Sequence, residues 1–82
     1  MQILGRKYLI AMDFHLTERE NNVLLNLSQG LTNVEIAKKL HISVHTVKAH
    51  LEAIYDKLGV ANRVQAAMKA VVLGLIDLNI ML

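Results

Sequence analysis

A chain of 82 residues is long enough for one small domain with a modest core and too short for a second. The 9 basic and 7 acidic residues give a net charge of +2, which permits a polyanionic partner but lacks the strongly basic arms that would demand one. There is no cysteine, which excludes disulfides and thiolate metal sites and is typical of a reducing cytoplasm. Hydrophobic residues make up 54%, so part of the apolar surface is expected to meet a partner.

Residues 1–15 are expected to form an arm, a linker or a short extra helix ahead of the domain. Gly5 interrupts any early helix. The apolar side chains of Tyr8, Leu9 and Phe14 favour an arm that docks on the domain. The apolar part of this segment is too short for a signal peptide, and no later apolar run could span a bilayer, so we expect a cytoplasmic chain with no membrane partner.

The first helix is predicted to run from Glu18 to Gln29. Thr17 and Glu20 have the spacing of a capping box, in which each side chain accepts a hydrogen bond from the other residue's backbone N–H. Gly30 is a suitable left-handed terminator. The apolar side chains at helical spacing, expected to be buried, are Val23, Leu24 and Leu27.

Two helices joined by a tight turn follow, and the rest of the chain is organised around them. Thr32 and Glu35 form a second capping box, so the shorter helix should begin at Asn33. Ser43 is a good N-cap for the longer helix, which Gly59 should close. The arrangement predicts a helix-turn-helix. The side chains expected to be buried are Ile36, Ala37 and Leu40 on the shorter helix and Val47, Leu51, Ile54 and Leu58 on the longer one.

The opposite face of the longer helix lacks bulky apolar side chains. Such a face can enter a DNA major groove, whose width admits a helix and whose base edges present donors and acceptors. Periodicity alone fits an ordinary solvated face equally well, but the capped helix and the tight turn before it favour the groove. The residues of this face are His45, Lys48, Ala49, Glu52 and Asp56.

The last helix is predicted to begin after Asn62, with Gln65 as its capping-box partner, and to end near Leu73 before Gly74. Its apolar surface is wider than one core-facing side needs, and it consists of Val64, Ala67, Met68, Val71 and Val72. Core packing explains part of this surface, and the remainder predicts a helix-to-helix dimer contact. The residues assigned to that contact are Ala67, Ala70 and Val71.

Three segments carry a family resemblance: TNVEIA at 32–37, TVKAH at 46–50, and KLGV at 57–60 with Arg63 following. From Leu16 to Ile76 the chain closely resembles the LuxR/NarL-type C-terminal DNA-binding domain of bacterial transcription (response) regulators. The resemblance implies a four-helix fold whose third helix reads DNA and whose fourth dimerises. It also implies an attached receiver or ligand-binding domain, or a free-standing small regulator. The expected division is an arm or linker at 1–15, an all-α, four-helix helix-turn-helix bundle without a wing at 16–76, and a tail at 77–82.

The resemblance implies that Lys48, Ala49 and Glu52 contact the DNA bases, and His45 lies on the same face of the helix. Lys48 suits guanine N7 and O6, and Ala49 suits a thymine methyl group. Glu52 stands where some members have a lysine; a carboxylate can accept from cytosine N4, but it repels phosphates. For Tyr55, a phosphate contact and simple packing are equally good interpretations. The expected phosphate contacts, at a helix N-terminus and around the longer helix, are Thr32, Asn33, Thr46, Lys48, Tyr55 and Lys57.

Neither a metal site nor an enzyme is expected. A turn lies between His41 and His45, and His45 and His50 point in different directions, so these histidines do not form a zinc site. There is no glycine-rich phosphate loop and no nucleophile with a base at recognisable spacing, so no catalytic residue and no cofactor is expected.

The expected partners are double-stranded DNA and a second copy of the chain, with RNA polymerase as a further candidate. Two other interpretations use the same fold. One is a promoter-binding domain like region 4 of a sigma factor, which would bind DNA only with the polymerase core. The other is a protein-interaction module, favoured by the sparse positive charge and the high apolar content.

Overall fold

A computed structural model describes residues 14–74, and within them the chain forms four helices and no strand. The helices are α1 (Glu18–Ser28), α2 (Asn33–Leu40), α3 (Val44–Leu58) and α4 (Arg63–Val72). The predicted all-α, four-helix fold is confirmed. Most of the predicted arm, including Tyr8 and Leu9, and the predicted tail lie outside the described residues. None of the four helices has the length and apolar character needed to cross a membrane.

Side-chain caps begin the helices where the sequence predicts them. Both halves of the capping box are formed at Thr17 and at Thr32, and the Ser43 hydroxyl accepts from the N–H of Thr46 at 3.0 Å. These hydrogen bonds satisfy backbone donors that have no partner inside the helix. Because each cap and its partner are only three residues apart, the short-range sequence is enough to set these helix starts.

The fourth cap differs in one half from its prediction. Asn62 caps α4 by accepting from the N–H of Gln65 at 2.9 Å. The Gln65 side chain, however, accepts from the N–H of Ala61 at 2.8 Å rather than from Asn62. Asn62 has φ −155°, against −71° and −74° at the two complete boxes, and this rotation turns its own N–H away from the helix. The predicted reciprocal box at this position is therefore wrong.

The turn of the helix-turn-helix depends on a left-handed residue that the sequence analysis missed. Gly59 closes α3 with φ +69°, as predicted. His41 adopts φ +59° and ψ +44° at the end of α2, although a side chain disfavours this conformation. The left-handed residue turns the chain sharply, so that only His41, Ile42 and Ser43 separate the two helices.

The buried side chains form one core between α1, α3 and α4, with α2 packed on α3. All three predicted core residues of α1 and all four of α3 are buried. Phe14 packs against this core, as predicted for the end of the arm, and the Lys69 ammonium lies 5.6 Å from the centre of its ring. Ala66 and Ala70 of α4 are both 0% exposed. Ala70, predicted as a dimer contact, is therefore part of the monomer's core, because its small side chain lets α4 approach the other helices closely.

Candidate nucleic-acid interface

Helix α3 has one buried side and one exposed side, as the sequence predicts. Its four core residues are 4% exposed or less. All five residues of the opposite side are exposed: His45, Lys48, Ala49, Glu52 and Asp56. The helix is held by its aliphatic edge while its polar edge is accessible along most of its length. A helix held in this way can enter a groove without disturbing the core.

An open pocket of about 230 Å³ lies beside Lys48, where the beginnings of α2 and α4 approach α3. The lining is rich in hydrogen-bond donors: the Lys48 ammonium, the Arg63 guanidinium, the Tyr55 hydroxyl and the Asn33 amide. Glu52 supplies the one carboxylate of the lining, and Leu51 closes the apolar side. Such a surface suits an anion, with Glu52 opposing it at one edge.

The N-terminus of α2 is partly occupied by the chain's own carboxylate. The backbone N–H of Thr32 donates to Glu35 Oε1 at 2.8 Å, and the N–H of Glu35 donates to the Thr32 hydroxyl at 3.2 Å. These hydrogen bonds hold the pKa of Glu35 below its usual value, so the carboxylate stays ionised at neutral pH. The Thr32 N–H therefore already has an anionic partner, and a phosphate contact by Thr32 stays a prediction.

Three other predicted phosphate residues lie at this surface. Asn33 borders the pocket, half-buried, as does Tyr55, whose ring also packs against the core. The packing interpretation of Tyr55 and the contact interpretation are thus compatible. The Thr46 hydroxyl lies 2.9 Å from the Ser43 hydroxyl, so one of these two oxygens can donate outward.

Lys57, which is predicted as a phosphate contact, forms contacts inside the domain. Its ammonium forms an ion pair with Glu20 Oε1 at 2.6 Å and donates to the carbonyl of His15 at 2.9 Å. Burial tends to raise the pKa of Glu20, but the hydrogen bonds from Lys57 and Thr17 outweigh it and lower the pKa below its usual value. Lys57 therefore ties the end of α3 to the beginning of α1.

Arg63 also lines the pocket, although nothing in the sequence pattern predicts a functional role for it. Its guanidinium donates to Asn33 Oδ1 at 2.9 Å and to the carbonyl of Leu31 at 2.6 Å. One signal in the sequence could have pointed to it. A cation in the first turn of a helix is disfavoured by the helix dipole, so a basic residue directly after an N-cap suggests acceptors elsewhere in the fold.

No group of three His, Asp or Glu side chains within residues 14–74 is arranged to hold a metal ion. The described part of the interface consists of a helix face and a donor-rich pocket. These two features define the class: a helix-turn-helix domain with an accessible second helix.

Comparison with known proteins agrees with this class. Residues 15–70 match the family described as bacterial regulatory proteins, luxR family. The chain therefore belongs to the luxR family, and the resemblance inferred from its sequence is confirmed.

Several curated relatives are similar to this chain over a comparable length. A transcriptional regulatory protein, LnrK of Bacillus subtilis, is 54% identical over 56 residues, which are 68% of this chain and 26% of that protein. The response regulator VraR of Staphylococcus aureus is 47% identical over 55 residues, or 67% and 26% of the two chains. The probable transcriptional regulatory protein SgaR of Hyphomicrobium methylovorum is 53% identical over 51 residues, or 62% and 24%. The chain thus matches about a quarter of the length of each of these relatives.

Proposed function

We propose that this domain binds double-stranded DNA sequence-specifically, as the output domain of a transcription regulator, either a response regulator or a free-standing small regulator. The observation that carries the proposal is the exposed polar side of α3 beside a pocket rich in hydrogen-bond donors. Membership of a family of regulatory proteins supports it, as do relatives named as transcriptional regulators and a response regulator.

In this proposal α3 enters the major groove with its exposed side toward the base edges. Lys48 donates to guanine N7 and O6, and Ala49 packs on a thymine methyl group. His45, one turn before Ala49, reaches a neighbouring base or phosphate. Thr46 and Tyr55 of α3, with Asn33 at the beginning of α2, contact the phosphate backbone beside the groove. Phosphate contacts set the register of the helix, and base contacts select the sequence.

Glu52 weakens non-specific binding in this arrangement. Its carboxylate lines the same pocket as Lys48 and would face a phosphate backbone across a short distance. We expect Glu52→Gln to raise the affinity for a mixed-sequence duplex by about threefold at low salt. The matched control is Glu18→Gln, which removes the same charge from α1 and should change the affinity less. An affinity equal to that of the original chain would mean that position 52 lies away from the backbone.

A second copy of the chain would pair through α4. With a net charge of only +2, one copy should bind weakly, and two copies on neighbouring half-sites would double the number of contacts. Because the side chain of Ala70 is fully buried, we place the dimer contact on the outer side of α4, with Ala67 and Val71 at its edge. The outer side carries an exposed apolar stripe whose members are four residues apart: Val64 (65% exposed), Met68 (63%) and Val72 (76%). Such a stripe can pack against its own copy about a twofold axis.

Val64→Glu tests the pairing. We expect it to abolish association in sedimentation experiments and to remove cooperative binding to paired half-sites, because two carboxylates would face each other across the axis. Val34→Glu is the matched control, since Val34 is 51% exposed on α2 and should leave sedimentation unchanged. Equal sedimentation of the two variants and the original chain would rule out α4 as the interface.

Selection from a pool of random duplexes tests the proposed function itself. We expect a recurrent sequence to be enriched, and its affinity to fall steeply as salt rises, because phosphate contacts release counterions. Absence of DNA binding at about 50 mM salt would refute the proposal and favour a protein-interaction module, for which the apolar stripe on α4 is suited. Binding that needs the polymerase core would favour the alternative of a domain like region 4 of a sigma factor.

A further inference from the structure

Arg63 is the first residue of α4, yet its guanidinium reaches back to the segment that begins α2. Its Nη2 donates to the carbonyl of Leu31, directly before the N-cap Thr32, at 2.6 Å. Its Nη1 donates to Asn33 Oδ1, directly after that cap, at 2.9 Å. The planar guanidinium thus holds both the backbone that enters α2 and the side chain of the first helical residue.

The contact with Arg63 fixes which way the Asn33 amide faces. An arginine side chain has five N–H donors and no acceptor, so the Asn33 atom that it contacts has to be the oxygen. The amide nitrogen Nδ2 is therefore turned away from the guanidinium. Within residues 14–74, Nδ2 donates no hydrogen bond, and Asn33 borders the pocket that it shares with Lys48 and Tyr55.

We propose that Arg63 is a positioning residue that presents Asn33 Nδ2 as a donor to one DNA backbone phosphate, beside Lys48 and Tyr55. This inference rests on the proposed function and deepens it by assigning the pocket to a single phosphate. In this proposal Arg63 acts through Asn33, with two of its five N–H donors committed to Leu31 and Asn33. The side chain of Asn33 supplies the contact.

The variant Asn33→Asp distinguishes a phosphate contact made by Asn33 from a purely structural role of this side chain. The aspartate keeps an oxygen for Arg63 and adds an opposite charge, so the thermal unfolding temperature of the full 82-residue chain should be equal or higher. It replaces the outward N–H2 with a carboxylate oxygen, so affinity for a mixed-sequence duplex should fall about tenfold. Asn22→Asp makes the same charge change on α1, which does not line the pocket, and should change affinity less than about twofold. Equal loss in the two variants would overturn the proposal.

A double-mutant cycle tests whether Arg63 acts through Asn33. Arg63→Lys keeps the positive charge but has no fork to span both acceptors, and we expect it to lower duplex affinity about threefold. In the Asn33→Ala background the same change should have no further effect, because there is no amide left to orient. A loss of equal size in both backgrounds would mean that Arg63 binds DNA directly or acts only on stability, and would overturn the proposal.

The wild-type chain distinguishes failure of this inference from failure of the proposed function. If the chain binds no duplex at about 50 mM salt, both are refuted. If the chain binds and Asn33→Asp binds equally well, the phosphate assignment alone is refuted. If Arg63→Lys fails to fold, the Asn33→Asp comparison still decides the question, because the carboxylate leaves the arginine contact in place.

Discussion

Lys48→Ala is expected to weaken binding to a selected duplex by about tenfold to a hundredfold while leaving helical content unchanged. Lys48 lies in the middle of the exposed side of α3, and it borders the donor-rich pocket. A side chain that donates to guanine N7 and O6 contributes about 1–3 kcal/mol of discrimination between bases, which corresponds to this range. Titration of a labelled duplex gives the affinity, and circular dichroism gives the helical content.

Lys39→Ala is the control for the charge that Lys48→Ala removes. Lys39 is exposed on the last turn of α2. Loss of its charge should weaken binding only through the long-range field, by about twofold at moderate salt. A further distinction is sequence preference: Lys48→Ala should tolerate base changes at the guanine it reads, whereas Lys39→Ala should not. If the two variants lose affinity equally, Lys48 contributes only charge and its base-reading role is refuted.

Lys57→Met should destabilise the domain by about 2 kcal/mol, the largest stability effect that we expect. The Glu20 carboxylate is 8% exposed, and its pairing with Lys57 joins α1 to α3. Without the ammonium, this carboxylate would remain in a buried position with only the hydrogen bond from the Thr17 backbone N–H to stabilise its charge. Urea denaturation gives the change in the free energy of unfolding.

The pH dependence of stability tests whether loss of the Lys57–Glu20 ion pair causes the destabilisation of Lys57→Met. The pKa of Glu20 is lowered in the folded state from its ordinary 4.5. The pair therefore contributes fully above that value, and its contribution is lost as pH falls through the lower folded pKa. Lys57→Met should lose less stability between neutral and acidic pH than the original chain does. Glu20→Gln in the Lys57→Met background should restore part of the stability at neutral pH, because it removes the unpaired charge.

This variant also decides between the two roles considered for Lys57. A phosphate contact predicts weaker DNA binding with unchanged stability, and the ion pair with Glu20 predicts the reverse. Unchanged stability together with a tenfold loss of DNA affinity would show that Lys57 contacts DNA rather than stabilising the domain.

Local patterns were sufficient to predict most of the fold. The caps at Thr17, Thr32 and Ser43 involve residues three positions apart, so the sequence alone contains both partners. The buried stripes follow from the helical period, which is why the core of α1 and α3 and the exposed side of α3 were both predicted. The left-handed His41 was missed because glycine or asparagine is the usual signal for that conformation.

The contacts at the candidate site that the sequence did not predict join residues far apart in the chain. Lys57 and Glu20 are separated by 37 positions, and Arg63 and Asn33 by 30. Nothing in the sequence pattern distinguishes a lysine that reaches solvent from one that reaches another helix; the packing of the helices decides it. The prediction for Ala70 failed for a related reason, since a small residue permits close approach either to the monomer's own helices or to a partner.

The most direct test of the central claim is a titration of the isotope-labelled chain with a selected duplex, followed by nuclear magnetic resonance. We predict that the largest changes in backbone amide shifts fall on the exposed side of α3 around Lys48 and on the beginning of α2 at Asn33. The amides of α1 should change little. Changes concentrated on α1, or spread evenly over the chain with Lys48 unaffected, would contradict the account.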